Sequence, residues 1–159
     1  MCGGVVYSEG GEERRCYFPN PYAQLPVVTR HHNVTMVRWG RRRGEPGQLP
    51  LGGWARLESI NAGIWNRWQP RPVRLQLQGF MEKDIEGKSH WFTLTSGQWI
   101  QGLVARQGSE QRVYVVTILP EMPEAVHPRW PRIVSVLPRT EISRSLMSMP
   151  GISAVTSDS

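Results

Sequence analysis

Short apolar runs, alternating or continuous, dominate this chain, and extended helical periodicity is scarce. Segments 4–7, 25–29, 34–39, 73–77, 80–83, 90–95, 99–106, 112–119 and 133–137 are rich in β-branched and aromatic residues and are bounded by turn-forming residues, so each predicts a strand. Two Gly-containing connections, DIEGK (84–88) and QGSEQ (107–111), each separate two such runs and predict antiparallel hairpins. Helical spacing is confined to 57–68 and 140–147, the second with Thr140 as N-cap after Pro138. From Ser148 the residues are small and polar without apolar periodicity, which predicts a disordered tail over 148–159. No internal repeat or linker interrupts the rest. The expectation is one α+β domain over 1–147, mainly antiparallel sheet, barrel-like, with a few short helices.

Composition narrows the class. Pro and Gly together supply 29 of the 159 residues, in keeping with many turns, and a chain of this length buries a core without metal or disulfide staples. Two cysteines make no disulfide framework, and no CxxC or HxxxH spacing suggests a metal, so neither metal nor cofactor is expected. The longest mostly apolar stretch, VYVVTIL (113–119), is too short for a membrane helix, and no amino-terminal apolar leader is present. The chain is therefore expected to be soluble, cytoplasmic and monomeric, with its thiols reduced. Charge adds a partner. The formal net charge is +6, and 17 of the 19 cations are Arg, including the run Arg41, Arg42, Arg43. Guanidinium holds phosphate oxygens bidentately and stacks on bases, so an Arg-biased excess beside seven Trp suits a nucleic acid. A GC-rich genome that writes Arg in place of Lys gives the same composition.

Candidate chemistry begins at the opening MCGG. A small residue at position 2 lets the initiator methionine be removed, which leaves Cys2 with both a thiol and a free α-amine. The plain alternative is a small residue at a flexible end. Glu82 in GFMEK and His127 in VHPRWP complete a set of nucleophile, carboxylate and imidazole, the parts needed for covalent chemistry with proton transfer. Taken singly, Glu82 reads as a strand residue paired with Lys83 or Lys88, and His127 as a loop residue before proline.

The order of motifs says more than any one of them. MCGG, NPYAQLPVV (20–28), WG (39–40), WARLES (54–59), GFMEK (79–83), WF (91–92) and the segment 117–131 ending VHPRWP follow one another along the chain. That ordered set resembles the SOS response-associated peptidase family, whose pattern runs MCGR, NxxP with a following PVV, WG, NARxE, GFYEW, a WF-like strand and HDRMP. The resemblance covers roughly residues 1–137. It implies capture of abasic sites in single-stranded DNA by a crosslink at the amino-terminal cysteine, with peptide cleavage that exposes the cysteine as a second proposed activity. Carried onto this chain, Cys2, Glu82 and His127 become catalytic. Glu82 moves protons during imine formation, and His127 assists opening of the sugar ring. Arg56 and Arg129 then hold phosphates flanking the lesion, and Trp54 stands where the family has the asparagine of NAR, beside the sugar.

Departures accompany the likeness. Gly4 replaces the arginine of MCGR, Trp54 the asparagine of NAR, and Pro128 and Trp130 the aspartate and methionine of HDRMP. Two other readings compete. One is a binding module that holds single-stranded DNA without covalent chemistry. The other is an amidohydrolase with an N-terminal cysteine, which would need an Asn-Gly pair for its glutamine pocket, and this chain contains none. For Arg56 the competing role is an ion pair with Glu58.

Overall fold

A computed structural model describes residues 3–119 and 130–135. Strand β1 (Gly4–Glu9) turns directly into β2 (Glu12–Tyr17) through Gly10 and Gly11, whose φ values of 62° and 83° supply the left-handed pair that a two-residue hairpin requires. β3 (Gln24–Val28) and β4 (Val34–Arg38) form a second hairpin. After a long loop come the short β5 (Trp54–Arg56), helix α1 (Leu57–Asn61) and a 3₁₀ turn (Asn66–Trp68). The remaining strands are β6 (Arg71–Leu75), β7 (Gly79–Lys83), β8 (Ser89–Thr93), β9 (Gln98–Gln107), β10 (Glu110–Ile118), β11 (Trp130–Pro131) and β12 (Ile133–Ser135).

These strands build two sheets. The smaller has the order β2-β1-β7-β8 and is antiparallel throughout. The larger runs β11-β10-β9-β6-β3-β4, with β12 added to β9 and β5 added parallel to β10. Both predicted hairpin turns, 84–88 and 107–111, join the strands expected of them. The barrel expectation is corrected. Among the described residues a single parallel bridge, Trp39 to Val113, links the end of β4 to β10, and no ladder closes the sheets into a barrel.

The predicted helix over 57–68 is also shorter. It stops at Asn61 because Gly63 takes φ 82°, and only the 3₁₀ turn resumes at Asn66. The helix expected at 140–147 and the tail from 148 lie outside the described residues.

Two apolar clusters hold the fold. Val5 and Phe80 of the small sheet meet Leu25, Val27, Leu75, Ile100, Val104, Val113 and Val115 of the large one. On the other face of the large sheet, Leu103, Ala105, Tyr114 and Val116 pack against Leu49, Ala55 and Trp65, with Leu57 and Ile60 of α1 beside them. The middle of β9 and of β10 is thus covered on both faces, which explains the nearly continuous apolar run in β10 where a one-faced strand would alternate. Among the described residues no helix is long and apolar enough to cross a membrane.

Candidate functional site

Glu82 is the singular residue of the small sheet. Side chains alternate along β7, so Phe80 and Glu82 share its inward face, and both are buried, Glu82 completely. Burial pushes the Glu82 carboxyl up to about 7, because desolvation disfavours the charged form. A group that ionises near neutrality can both give and take a proton there. It is not the surface strand residue paired with a lysine that its sequence neighbours suggest.

The start of the chain runs alongside this strand. Gly3 donates its amide hydrogen to the Met81 carbonyl at 3.1 Å, and Gly4 pairs with Met81 in the β1–β7 ladder. Cys2 itself lies outside the described residues. The Gly3 carbonyl in turn accepts from the amide of Phe18 at 3.1 Å.

Phe18 gathers the aromatic residues. Its ring lies 4.9 Å from that of Trp54 and 5.5 Å from that of Trp39, and the Arg42 guanidinium sits 4.3 Å over it. Trp54 is accordingly half-buried in a packed group one residue removed from Gly3. Gly53 is required here: a Cβ at that position would stand 2.6 Å from the Phe18 ring and 2.7 Å from Nε1 of Trp39.

His127 and Arg129 also lie outside the described residues. The chain returns at Trp130, whose ring meets Phe80 at 5.3 Å and Phe92 at 5.1 Å, both edge to face. Arg56 ends β5 and is exposed. It pairs in register with Thr117 of β10, and Thr117 pairs on its other side with Pro131, so Arg56 and Pro131 are two strand spacings apart, about 10 Å. Among the described residues Arg56 pairs with no carboxylate, Glu58 included.

The arginine run has a different role from the one its charge suggests. Arg41 donates to the carbonyls of Leu49 and Glu45, and Arg42 to the carbonyl of Phe18 at 2.6 Å. Arg112, almost fully buried, donates to the Gly40 carbonyl at 2.8 Å and stands 3.4 Å from Glu45 and 3.1 Å from Glu110. Desolvation opposes ionisation of Glu45, but the Arg42 amide and the guanidinium groups of Arg42 and Arg112 win and hold its carboxyl below its ordinary value. Arg41 and Arg42 thus brace the 40–53 loop, and of the run only Arg43 is left exposed.

Cys16 is partly buried, donates to the Gln24 carbonyl and has its thiol pushed up by burial, so it is not the reactive thiol of the described chain. Among the described residues no three His, Cys, Asp or Glu side chains group as metal ligands would. Sequence reasoning missed Phe18 and Met81 as anchors of the amino terminus, since both act through backbone groups that carry no residue-type signal. No protein-family model, curated protein or solved structure matches this chain.

Proposed function

We propose that this protein binds single-stranded DNA and captures abasic sites covalently through Cys2. The observation that carries this reading is a completely buried carboxyl, Glu82, poised near 7 on the strand that anchors the start of the chain. A fully buried acid is expensive for stability, and carboxyls shifted in this way concentrate at functional sites.

With Met1 removed, the α-amine of Cys2 has a pKa of roughly 8 against about 10.4 for lysine, so more of it is free base near neutrality. It adds to the aldehyde of the opened deoxyribose to give a carbinolamine. Glu82 in its protonated form donates to the departing hydroxyl, which leaves as water, and the resulting carboxylate takes back the nitrogen proton to yield the imine. The Cys2 sulfur then bonds to the imine carbon while its proton passes to the nitrogen, closing a five-membered thiazolidine. One water is lost and no electrons are exchanged. Closure is intramolecular and gains from proximity. Exposure of Cys2 by hydrolysis of its own peptide bond to Met1 belongs to the same proposal.

His127 assists ring opening at the sugar oxygen, and Arg56 and Arg129 hold flanking phosphates. The support for Arg56 is its exposure and its lack of a carboxylate partner among the described residues. For His127 and Arg129 it is the order of motifs along the sequence. Trp54 would border the sugar from the Phe18 group.

The test is a time course with an abasic single-stranded oligonucleotide, resolved under denaturing conditions. Protein with a free Cys2 should give a band that survives denaturation, and Glu82→Gln should form it about 10²- to 10⁴-fold more slowly. Equal rates for wild type and Glu82→Gln would remove Glu82 from the chemistry. Binding without any adduct would leave the non-covalent module.

A further inference from the structure

We propose that the face of the large sheet turned away from the small one carries a second binding site for single-stranded nucleic acid, formed by Arg74, Gln101, Arg132 and Trp99. It lies apart from Glu82 and does not depend on the chemistry at Cys2.

Register places these residues together. Arg74 of β6 pairs with Gln101 of β9, and the Gln101 amide donates to the Arg132 carbonyl at 3.0 Å from the opposite side. Three neighbouring strand segments therefore present Arg, Gln and Arg in a row, with the two arginines about 10 Å apart. Trp99 is two residues from Gln101 and so shares its face, as do Leu103 and Ala105, which are roofed by Trp65 and α1. That roof ends before Gln101.

The side chains are already arranged for such a ligand. The Arg74 guanidinium lies 4.7 Å over the Trp99 ring, and Arg132 donates to Oε1 of Gln101, itself buried, which fixes the second guanidinium. Neither arginine is in an ion pair among the described residues. The Trp99 Nε1 hydrogen is buried without an acceptor among those residues.

Charge decides the class of partner. Strands β3, β4, β6, β9 and β12 contain no Asp or Glu at all. The described carboxylates stand instead on the β1–β2 hairpin, on the β7–β8 hairpin, on α1 and around Arg112. Two guanidinium groups on strands without carboxylates suit phosphates, and the Arg74 plane stacked on the Trp99 indole supplies a cationic surface on which a base stacks. Single strands offer both together, whereas a duplex hides its base faces.

The experiment uses a lesion-free oligo-dT, so that adduct formation plays no part. Fluorescence anisotropy at several salt concentrations compares wild type with Arg74→Glu/Arg132→Glu, and with Arg74→Gln/Arg132→Gln as the milder pair should the first fail to fold. Each pair should weaken binding at least tenfold at low salt and lower the salt slope by about 1.4, the value for two single-strand phosphate contacts. In parallel, an oligonucleotide carrying 5-iodouracil should photo-crosslink to the peptide that contains Trp99. Affinity within twofold of wild type in a folded double variant, or crosslinks confined to peptides without Trp99, would overturn the site. Because no abasic sugar is present, a loss of oligo-dT binding supports this site even if Cys2 forms no adduct. An adduct alongside undiminished oligo-dT binding overturns this site and leaves the Cys2 reading standing.

Discussion

The Gly3 amide donates to the Met81 carbonyl at 3.1 Å, and so the chain enters its first strand beside the residue that precedes the buried Glu82. Together with the β1–β7 ladder, this contact sets the start of the first strand beside a buried carboxyl held near neutrality.

The first prediction concerns that ionisation. Glu82 titrates at about 7 in the folded chain, against roughly 4.3 for an unperturbed glutamate. Between those values the native state holds a proton that the unfolded state has released. This contribution to stability is therefore fully present below pH 4.3, declines as pH rises and levels off above 7. Denaturant midpoints measured across that range should fall for wild type relative to Glu82→Gln, in which the dependence disappears. Parallel curves would show that Glu82 does not titrate in this window.

Glu45 carries the opposite sign. Its carboxyl is held below the ordinary value by Arg42 and Arg112, so its contribution is present above pH 4.3 and is lost as pH falls through its folded value. Removing the negative charge leaves Arg42, largely out of water, without its carboxylate, and leaves Arg112 with Glu110 alone. Glu45→Gln should destabilise the protein by about 3 kcal/mol in equilibrium denaturation at pH 7. A loss below about 1 kcal/mol would mean that the carbonyls of Phe18 and Gly40 satisfy the arginines without it.

Gly53 tests the aromatic group beside the amino terminus. Alanine there meets the Phe18 ring and the Trp39 indole at distances no side chain tolerates, and Trp39 Nε1 also donates to the Gly53 carbonyl at 2.9 Å. Gly53→Ala should cost about 1–3 kcal/mol by thermal or denaturant unfolding. An unchanged midpoint would mean that the packing relaxes without loss.

Much of this architecture was legible in the sequence, because most strands have one buried face and announce themselves by alternation. The β7–β8 and β9–β10 hairpins followed from their Gly turns. β2 was not foreseen: EERRCY is an edge strand, exposed along most of its length and protected by charge, so its pattern is polar. The Gly10-Gly11 pair was the available signal. The barrel expectation failed because closure depends on whether distant edges form a ladder, and one bridge at Trp39 is invisible in composition. The site divides in the same way. Glu82 stood out by motif, but its neighbours Met81 and Lys83 gave no sign that β7 turns it inward with Phe80. The Arg41–Arg43 run counted toward the Arg excess that suits a nucleic acid, whereas Arg41 and Arg42 donate to the carbonyls of Leu49, Glu45 and Phe18. Arg74 and Trp99 meet only through strand pairing between residues 25 positions apart.

Arg56 separates binding from folding. It is exposed and without a carboxylate partner among the described residues, so Arg56→Ala should leave stability within about 0.5 kcal/mol of wild type. On the proposed function it should still weaken binding of abasic single-stranded DNA and reduce the salt slope by about 0.7, one phosphate contact. Unchanged affinity and slope would remove Arg56 from the DNA path.

The covalent role of Cys2 is tested most directly by intact mass. Protein verified to begin at Cys2 is incubated with an abasic single-stranded oligonucleotide, denatured and weighed, beside Cys2→Ala and a form that retains Met1. The account predicts a species equal to protein plus oligonucleotide less one water, formed by the Cys2-terminal protein alone. Wild-type protein that binds the oligonucleotide yet shows only its own unmodified mass would contradict it.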